Sequence, residues 1–307
     1  MKVEGKILLL GGGGFIGRAL SRYLCQRGKN FHILSNHFPD CEITKNITFH
    51  KGCIDDRLVL NRILPECNVI IHLASGTTPG SSSRRPSLEV DKNIGPTLRF
   101  LDILQPYKNI HVIYLSSGGA LYGNPGFVPA NENCPIVPLS FYGAGKIAIE
   151  KFLNTFSINS EISISIIRPS NVYGPGQTMR TGFGIIRTML EHAFYGTSME
   201  IWGDGKSVRD YLYIDDLVDA ISKIINIHGD NNTYNVGSGI GYDINELKNI
   251  IKSVTKREIK TVYRPGRKTD VKEIILDSSR MIKYTGWHPS VSLEKGICLT
   301  WNWINKK

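Results

Sequence analysis

An apolar run passes straight into four glycines and then into an amphipathic stretch, LLLGGGGFIGRAL at residues 8–20. Glycine loses more backbone entropy on ordering than any other residue and packs nothing. Four in a row between a strand-like and a helix-like segment therefore need a reason. The spacing supplies one, because Gly11, Gly14 and Gly17 stand three apart. At a strand–turn–helix junction the first glycine permits the tight turn and the second lets the backbone approach a pyrophosphate. The third lets the helix lie close to the strand. A helix beginning at Phe15 and Ile16 adds free N–H groups and a partial positive charge. The expected role is a phosphate cradle for a dinucleotide.

The first half of the chain agrees. Short apolar runs at 6–10, 31–34, 68–73, 111–116 and 163–167 read as strands, with amphipathic stretches at 15–28, 88–104 and 142–156 among them. Strands alternating with helices imply a parallel sheet, and runs as apolar as NVIIHLA suit one covered on both faces. After Pro169, loops rich in Gly, Pro and Asn take over, with shorter helices near 215–227 and 245–254. The expected fold is α/β: a Rossmann-type doubly wound parallel sheet over 1–169 and a smaller C-terminal α/β substrate lobe over 170–307, with part of 210–240 returning to the first domain.

Composition narrows the function classes. With 41% hydrophobic and 21% charged residues the chain is an ordinary globular one. No apolar run has the length of a bilayer span, and the N-terminus lacks the long apolar region of an export signal. Cys25, Cys41, Cys53, Cys67, Cys134 and Cys298 form no CxxC pair and no zinc-ligand spacing, so reduced thiols in a cytoplasmic protein are expected and no metal. The net charge of +10 is scattered rather than gathered in a tract. That argues for a solvated surface with a few arginines facing phosphates, and against nucleic acid or membrane as partners.

The second strand ends at Ser35 and Asn36, followed by His37. An acidic residue there would bind the adenosine ribose of NAD, and an arginine the extra phosphate of NADP. Neither is present, so the corner leaves NAD and NADP both open. Further on, Tyr142 and Lys146 stand four apart in FYGAGKIAIEKFL and so share a helix face. A tyrosine becomes a general base near neutral pH when nearby positive charge lowers its pKa. The pair gains weight from its position after the fifth strand of a dinucleotide-binding chain.

At this point the sequence resembles the extended short-chain dehydrogenase/reductase family, most closely its UDP-sugar 4-epimerases. GGGGFIG, HLAS, NIGPTLRFLDIL, SSGGALYGNP, YGAGK, RPSNVYGPGQ, IWGDGKSVRDYLYIDDLVDA, RPGRKTDV and TGWHPSVSLEKG carry the likeness along nearly the whole chain. The resemblance implies Tyr142 as catalytic base and Lys146 as the group that holds the nicotinamide ribose and depresses the tyrosine. It implies further cofactor contacts at Leu73, Ala74, Ser75, Asn93, Ser116 and Pro169. Substrate contacts follow at Asn171 and Arg209 for the diphosphate, and at Arg267 and Asp270 for the uridine. It also implies a homodimer paired through the helices near 88–104 and 142–156, and a role in supplying surface polysaccharide.

Four positions depart from the family pattern. Leu10 replaces the usual threonine before the glycines. Cys53 stands where an aspartate usually contacts adenine, leaving the backbone of Ile54 to serve. Gly118 occupies the place of the hydroxyl residue that assists the tyrosine, so Ser117 is the expected substitute, touching both the catalytic centre and the substrate. Ile274 lies where relatives gate the N-acetyl group, and its size suits tolerance of acetamido sugars. The acidic pair of the dehydratases is missing from SSGGALYG, which argues against loss of water. The expected reaction is C4 epimerisation of a nucleotide hexose with NAD, whose closed redox cycle favours a tightly held cofactor. An NADPH-dependent 4-keto-sugar reductase is the alternative, and a non-catalytic dinucleotide-binding protein the third reading.

Overall fold

The computed structural model describes residues 5–37, 45–179, 184–227, 231–266 and 270–306. Its first six strands are β1 (Lys6–Leu10), β2 (Phe31–Ser35), β3 (Ile47–Lys51), β4 (Cys67–His72), β5 (His111–Leu115) and β6 (Ser163–Pro169). Then come β7 (Asn171–Tyr173), β8 (Ser198–Trp202), β9 (Val208–Tyr213) and β10 (Thr233–Val236). The last are β11 (Gly241–Tyr242), β12 (Lys260–Arg264) and β13 (Glu273–Ile274).

Seven strands form one parallel sheet in the order β10-β6-β5-β4-β1-β2-β3. Side chains alternate across it. Leu8 and Leu10 enter the core shared with helices Arg57–Ile63, Gly95–Leu104 and Phe141–Ile158. Ile7 and Leu9 enter the core on the other face, with helices Phe15–Gln26 and Ile214–Ile225. Both faces are covered, which is why these strands are apolar throughout. The fold is therefore the doubly wound Rossmann arrangement. The chain leaves β1 toward β2 on one side and reaches β4 on the other, so a crevice opens beyond the carboxyl ends of β1 and β4, the usual ligand site of such sheets.

Beyond β6 the chain builds smaller pieces. β7, β9, β11 and β13 form one sheet and β8 pairs with β12, while β10 returns to the edge of the main sheet beside β6. Helix Ile244–Thr255 is fixed at its start by a reciprocal cap. Asp243 accepts from Glu246 N at 2.7 Å, and Glu246 accepts from Asp243 N at 2.8 Å.

Two elements differ from the sequence reading. β3 has a mostly part-exposed pattern at the sheet edge and carries little hydrophobic signal. The stretch read as one helix over 88–104 contains a π-helical turn, Val90–Ile94, in which Gly95 N bonds back to Val90 O. Pro96 follows at once and cannot donate to an i−4 carbonyl. The widened turn also frees Asn93 to reach into the neighbouring loop.

Candidate active site

The cradle is built from backbone. Gly11 has φ +81°, and a Cβ there would stand 2.7 Å from Ala74 Cα. Gly14 caps helix Phe15–Gln26 with no side-chain hydrogen bond, leaving the first N–H groups of the helix for a ligand. A Cβ on Gly14 would meet only Gly11 O at 3.4 Å, so this position faces open space. Gly17 does the opposite, since a Cβ there would press on Gly12 Cα and O at 2.5 Å. The turn, the approach face and the helix–strand contact thus fall to the three glycines in order.

The other expected cofactor residues gather at the carboxyl ends of neighbouring strands. Leu73 N bonds to Leu10 O at 2.9 Å, which sets Leu73, Ala74 and Ser75 against the glycine turn. At the end of β2, Ser35 Oγ accepts from His37 N. Asn36 meets Cys53 in a mutual amide–thiol contact, Nδ2 to Sγ at 3.6 Å and Sγ to Oδ1 at 3.5 Å. Ile54 follows β3 beside them. Ser116 closes β5 with N–H to Ile167 O at 2.8 Å, and its buried Oγ has no partner among the described residues. Pro169 ends β6. Asn93 acts on the protein itself: its oxygen accepts from Gly76 N at 2.8 Å, and its amide donates to Thr77 and Glu89 at 2.7 Å each. It braces the loop that carries Ser75. An open-faced glycine turn, an uncapped helix start and an orphaned hydroxyl in one crevice fit a dinucleotide.

Helix Phe141–Ile158 brings the reactive pair. Ser140 caps it by accepting from Gly143 N at 3.1 Å. Lys146 is buried, donates from Nζ to Leu115 O at 2.9 Å and lies 5.8 Å from the Tyr142 ring centroid. Burial pulls its ammonium down to about 8, against the pull of Glu150 and Glu89. Tyr142 departs from expectation. Burial and the Glu89 charge raise its phenol above the ordinary value, and the opposing influence is the nearby Ser75 hydroxyl, not Lys146. Ser75 Oγ otherwise donates to Thr77 O at 3.1 Å. The hydroxyl that eases ionisation of the phenol is thus the serine that the resemblance gave only to the cofactor.

Ser117, the expected assistant, starts the short helix Gly118–Leu121 without a capping bond. Gly118 has a steric cause, because a Cβ there would stand 2.4 Å from Leu276 Cδ1 and 3.0 Å from Arg168 O. Behind the pair, Arg168 and Glu150 form a buried bidentate ion pair at 3.0 and 2.6 Å. Arg168 also donates to Tyr122, which donates to Asn235 at 2.7 Å. This network ties helix Phe141–Ile158 to β6 and β10.

Asn171 Nδ2 donates to Asp210 O at 3.1 Å, close to Gly119 of the short helix that follows Ser117. Arg209 and Asp270 line one cleft of about 170 Å³ together with Met199, Trp202, Ser207 and Ile244. Arg267 lies outside the described residues. Ile274 pairs with Arg209 between β13 and β9 and is buried beside Val271 and Leu276.

Comparison with known proteins agrees with this geometry. The family model described as "NAD dependent epimerase/dehydratase family" matches residues 7–237. A putative UDP-glucose 4-epimerase of Methanocaldococcus jannaschii is 31% identical, over 97% of this chain and 98% of that protein. The crystal structure of UDP-glucose 4-epimerase with UDP-glucose from Thermotoga maritima is 33% identical with TM-score 0.91, covering 98% of this chain and 99% of that one. That of the Thermus thermophilus UDP-glucose 4-epimerase in complex with NAD is 26% identical with TM-score 0.89, over 98% and 99%. The glycine cradle, the Tyr142–Lys146 pair and these likenesses lead to one conclusion: this chain belongs to the NAD-dependent epimerase/dehydratase family.

Proposed function

We propose that the chain catalyses reversible inversion at C4 of a UDP-hexose through a 4-keto intermediate, with NAD as the resident cofactor. The observation that carries this reading is the placement of Tyr142. Its phenol lies within the influence of Ser75, one residue from the Ala74 backbone that touches the glycine turn. The base and the phosphate cradle therefore border one crevice, and relatives of nearly the same length are UDP-glucose 4-epimerases.

The chain's own residues divide the work. Gly11, Gly14 and the start of the helix hold the pyrophosphate. Lys146 orients the nicotinamide ribose. Tyr142 as phenolate takes the proton of the 4-hydroxyl and returns it when the carbonyl is reduced again. Ser75 turns its single hydrogen from Thr77 to the phenolate as charge develops. Bound NAD supplies the hydride acceptor and then the donor. Arg209, Asn171, Asp270 and Arg267 hold the nucleotide diphosphate, so the 4-keto sugar turns over while its anchor stays fixed. Acetamido sugars are accepted beside Ile274.

The protein acts as a cytoplasmic homodimer supplying precursors of surface polysaccharide. Val90 and Phe152, both exposed on the helical stretches expected to pair, support the dimer. Among the described residues no helix is long and apolar enough to cross a membrane.

Incubation with UDP-glucose and UDP-N-acetylglucosamine tests the reading. Conversion to the galacto forms without net cofactor consumption is expected. Oxidation of NADPH only on addition of a nucleotide 4-keto sugar, with no epimerisation, would replace it with a reductase.

A further inference from the structure

A buried carboxylate behind the catalytic pair has no part in the mechanism above. Glu89 is 4% exposed. Its Oε2 accepts from Asn93 Nδ2 at 2.7 Å, and its Oε1 has no hydrogen-bond partner among the described residues. The carboxylate lies against the helix of Tyr142 and Lys146, because a Cβ built on Gly145 would stand 2.7 Å from Oε2. Glycine weakens a helix interior. Its presence at 145, between the two reactive residues, is explained by the room Glu89 needs. A buried carboxylate without a full set of donors is itself costly.

The charged and titratable groups around it are few. Tyr142 and Lys146 face it from helix Phe141–Ile158 and Tyr114 from β5, while Glu150 and, from β4, His72 face the same Lys146. Asp91 and Lys92 lie on its own stretch. Glu150 is already committed to Arg168 at 2.6 Å. Glu150 raises Lys146 more strongly, but Glu89 is the carboxylate whose charge raises both Tyr142 and Lys146.

Resting on the reaction assigned above, we propose that Glu89 is a positioning residue that sets the proton balance of the Tyr142–Lys146 pair, holding Lys146 as the ammonium and Tyr142 as the phenol. The phenol is the form that returns a proton to the 4-keto oxygen, and the ammonium the form that orients the ribose.

Two readouts test this in the intact protein. The first is the pH profile of kcat for Glu89→Gln, which keeps shape and removes charge. The second is the titration of Lys146 by NMR of ε-13C-lysine, its signal assigned by loss in Lys146→Arg, and it needs no turnover. Glu89→Gln is expected to move the Lys146 midpoint and the acid limb of kcat to lower pH by at least about half a unit, with Glu89→Asp restoring both. Unshifted midpoints overturn the proposal, even if the rate falls. Should the glutamine variant fail to fold, Gly145→Ala displaces the carboxylate instead and must move the Lys146 midpoint in the same direction; no movement overturns the proposal. If the wild type does not epimerise, the lysine titration still decides the role of Glu89.

Discussion

Tyr142 stands between two neighbours that pull its proton in opposite directions. Ser75 favours the phenolate and Glu89 the phenol. Deleting the Ser75 hydroxyl removes a stabiliser of the ionised form, so the phenol becomes harder to ionise. Activity that needs the phenolate then sets in at higher pH. A hydrogen bond to an ionised group contributes about 1.5–3 kcal/mol, or about one to two pH units. Ser75→Ala should therefore raise the acid limb of kcat by about one unit, measured across the pH range with saturating UDP-glucose. Of these two neighbours, Ser75 was legible as part of HLAS but its partner was not, because Ser75 and Tyr142 are far apart in sequence. Glu89 left one trace, Gly145, the second of two glycines early in the helix of Tyr142.

At the scale of elements, backbone contacts hold the cradle together. Gly17→Ala places a methyl 2.5 Å from Gly12 Cα and O, where no rotamer can relieve it. The expected cost is about 1–3 kcal/mol, read as a lower urea midpoint, together with weaker NAD binding. β4 carries a second liability. Burial, with the Lys146 charge, holds His72 neutral down to about 3, below its ordinary 6.5. The unfolded chain takes up this proton as pH falls below about 6.5 while the folded one does not, so stability is lost on acidification by about 1.4 kcal/mol per unit for this residue. His72→Gln should flatten that loss when urea midpoints at pH 7.5 and 5 are compared. The main strands and the long helices were readable from apolar runs and amphipathic period. β3 was not, because an edge strand buries little. The π-turn at Val90–Ile94 was not, because a proline such as Pro96 also starts ordinary helices, and the bonds of Asn93 to another loop leave no mark in the sequence.

For the whole molecule, the carboxyl edge of the seven-stranded sheet collects the glycine turn, Ser75, Ser116 and the helix of Tyr142, while Asn171 and Arg209 stand on β7 and β9 and Arg209 shares a cleft with Asp270. That the sheet is parallel and doubly wound was implied by the alternation of elements. The joining of β10 to the main sheet closes the network from Glu150 through Arg168 and Tyr122 to Asn235, which ties the catalytic helix to the second half of the chain. Phe152, 47% exposed on the catalytic helix, belongs to the proposed dimer surface. Phe152→Glu should convert a dimer to a monomer in sedimentation velocity without unfolding it.

Incubating the enzyme with UDP-glucose deuterated at C4 tests the central claim most directly. Because the hydride leaves and returns within one bound complex, the UDP-galactose formed should keep its deuterium at C4 with no net NADH. Tyr142→Phe should slow the conversion at least about 100-fold. Galacto product with solvent hydrogen at C4, or full turnover by the phenylalanine variant, would contradict the account.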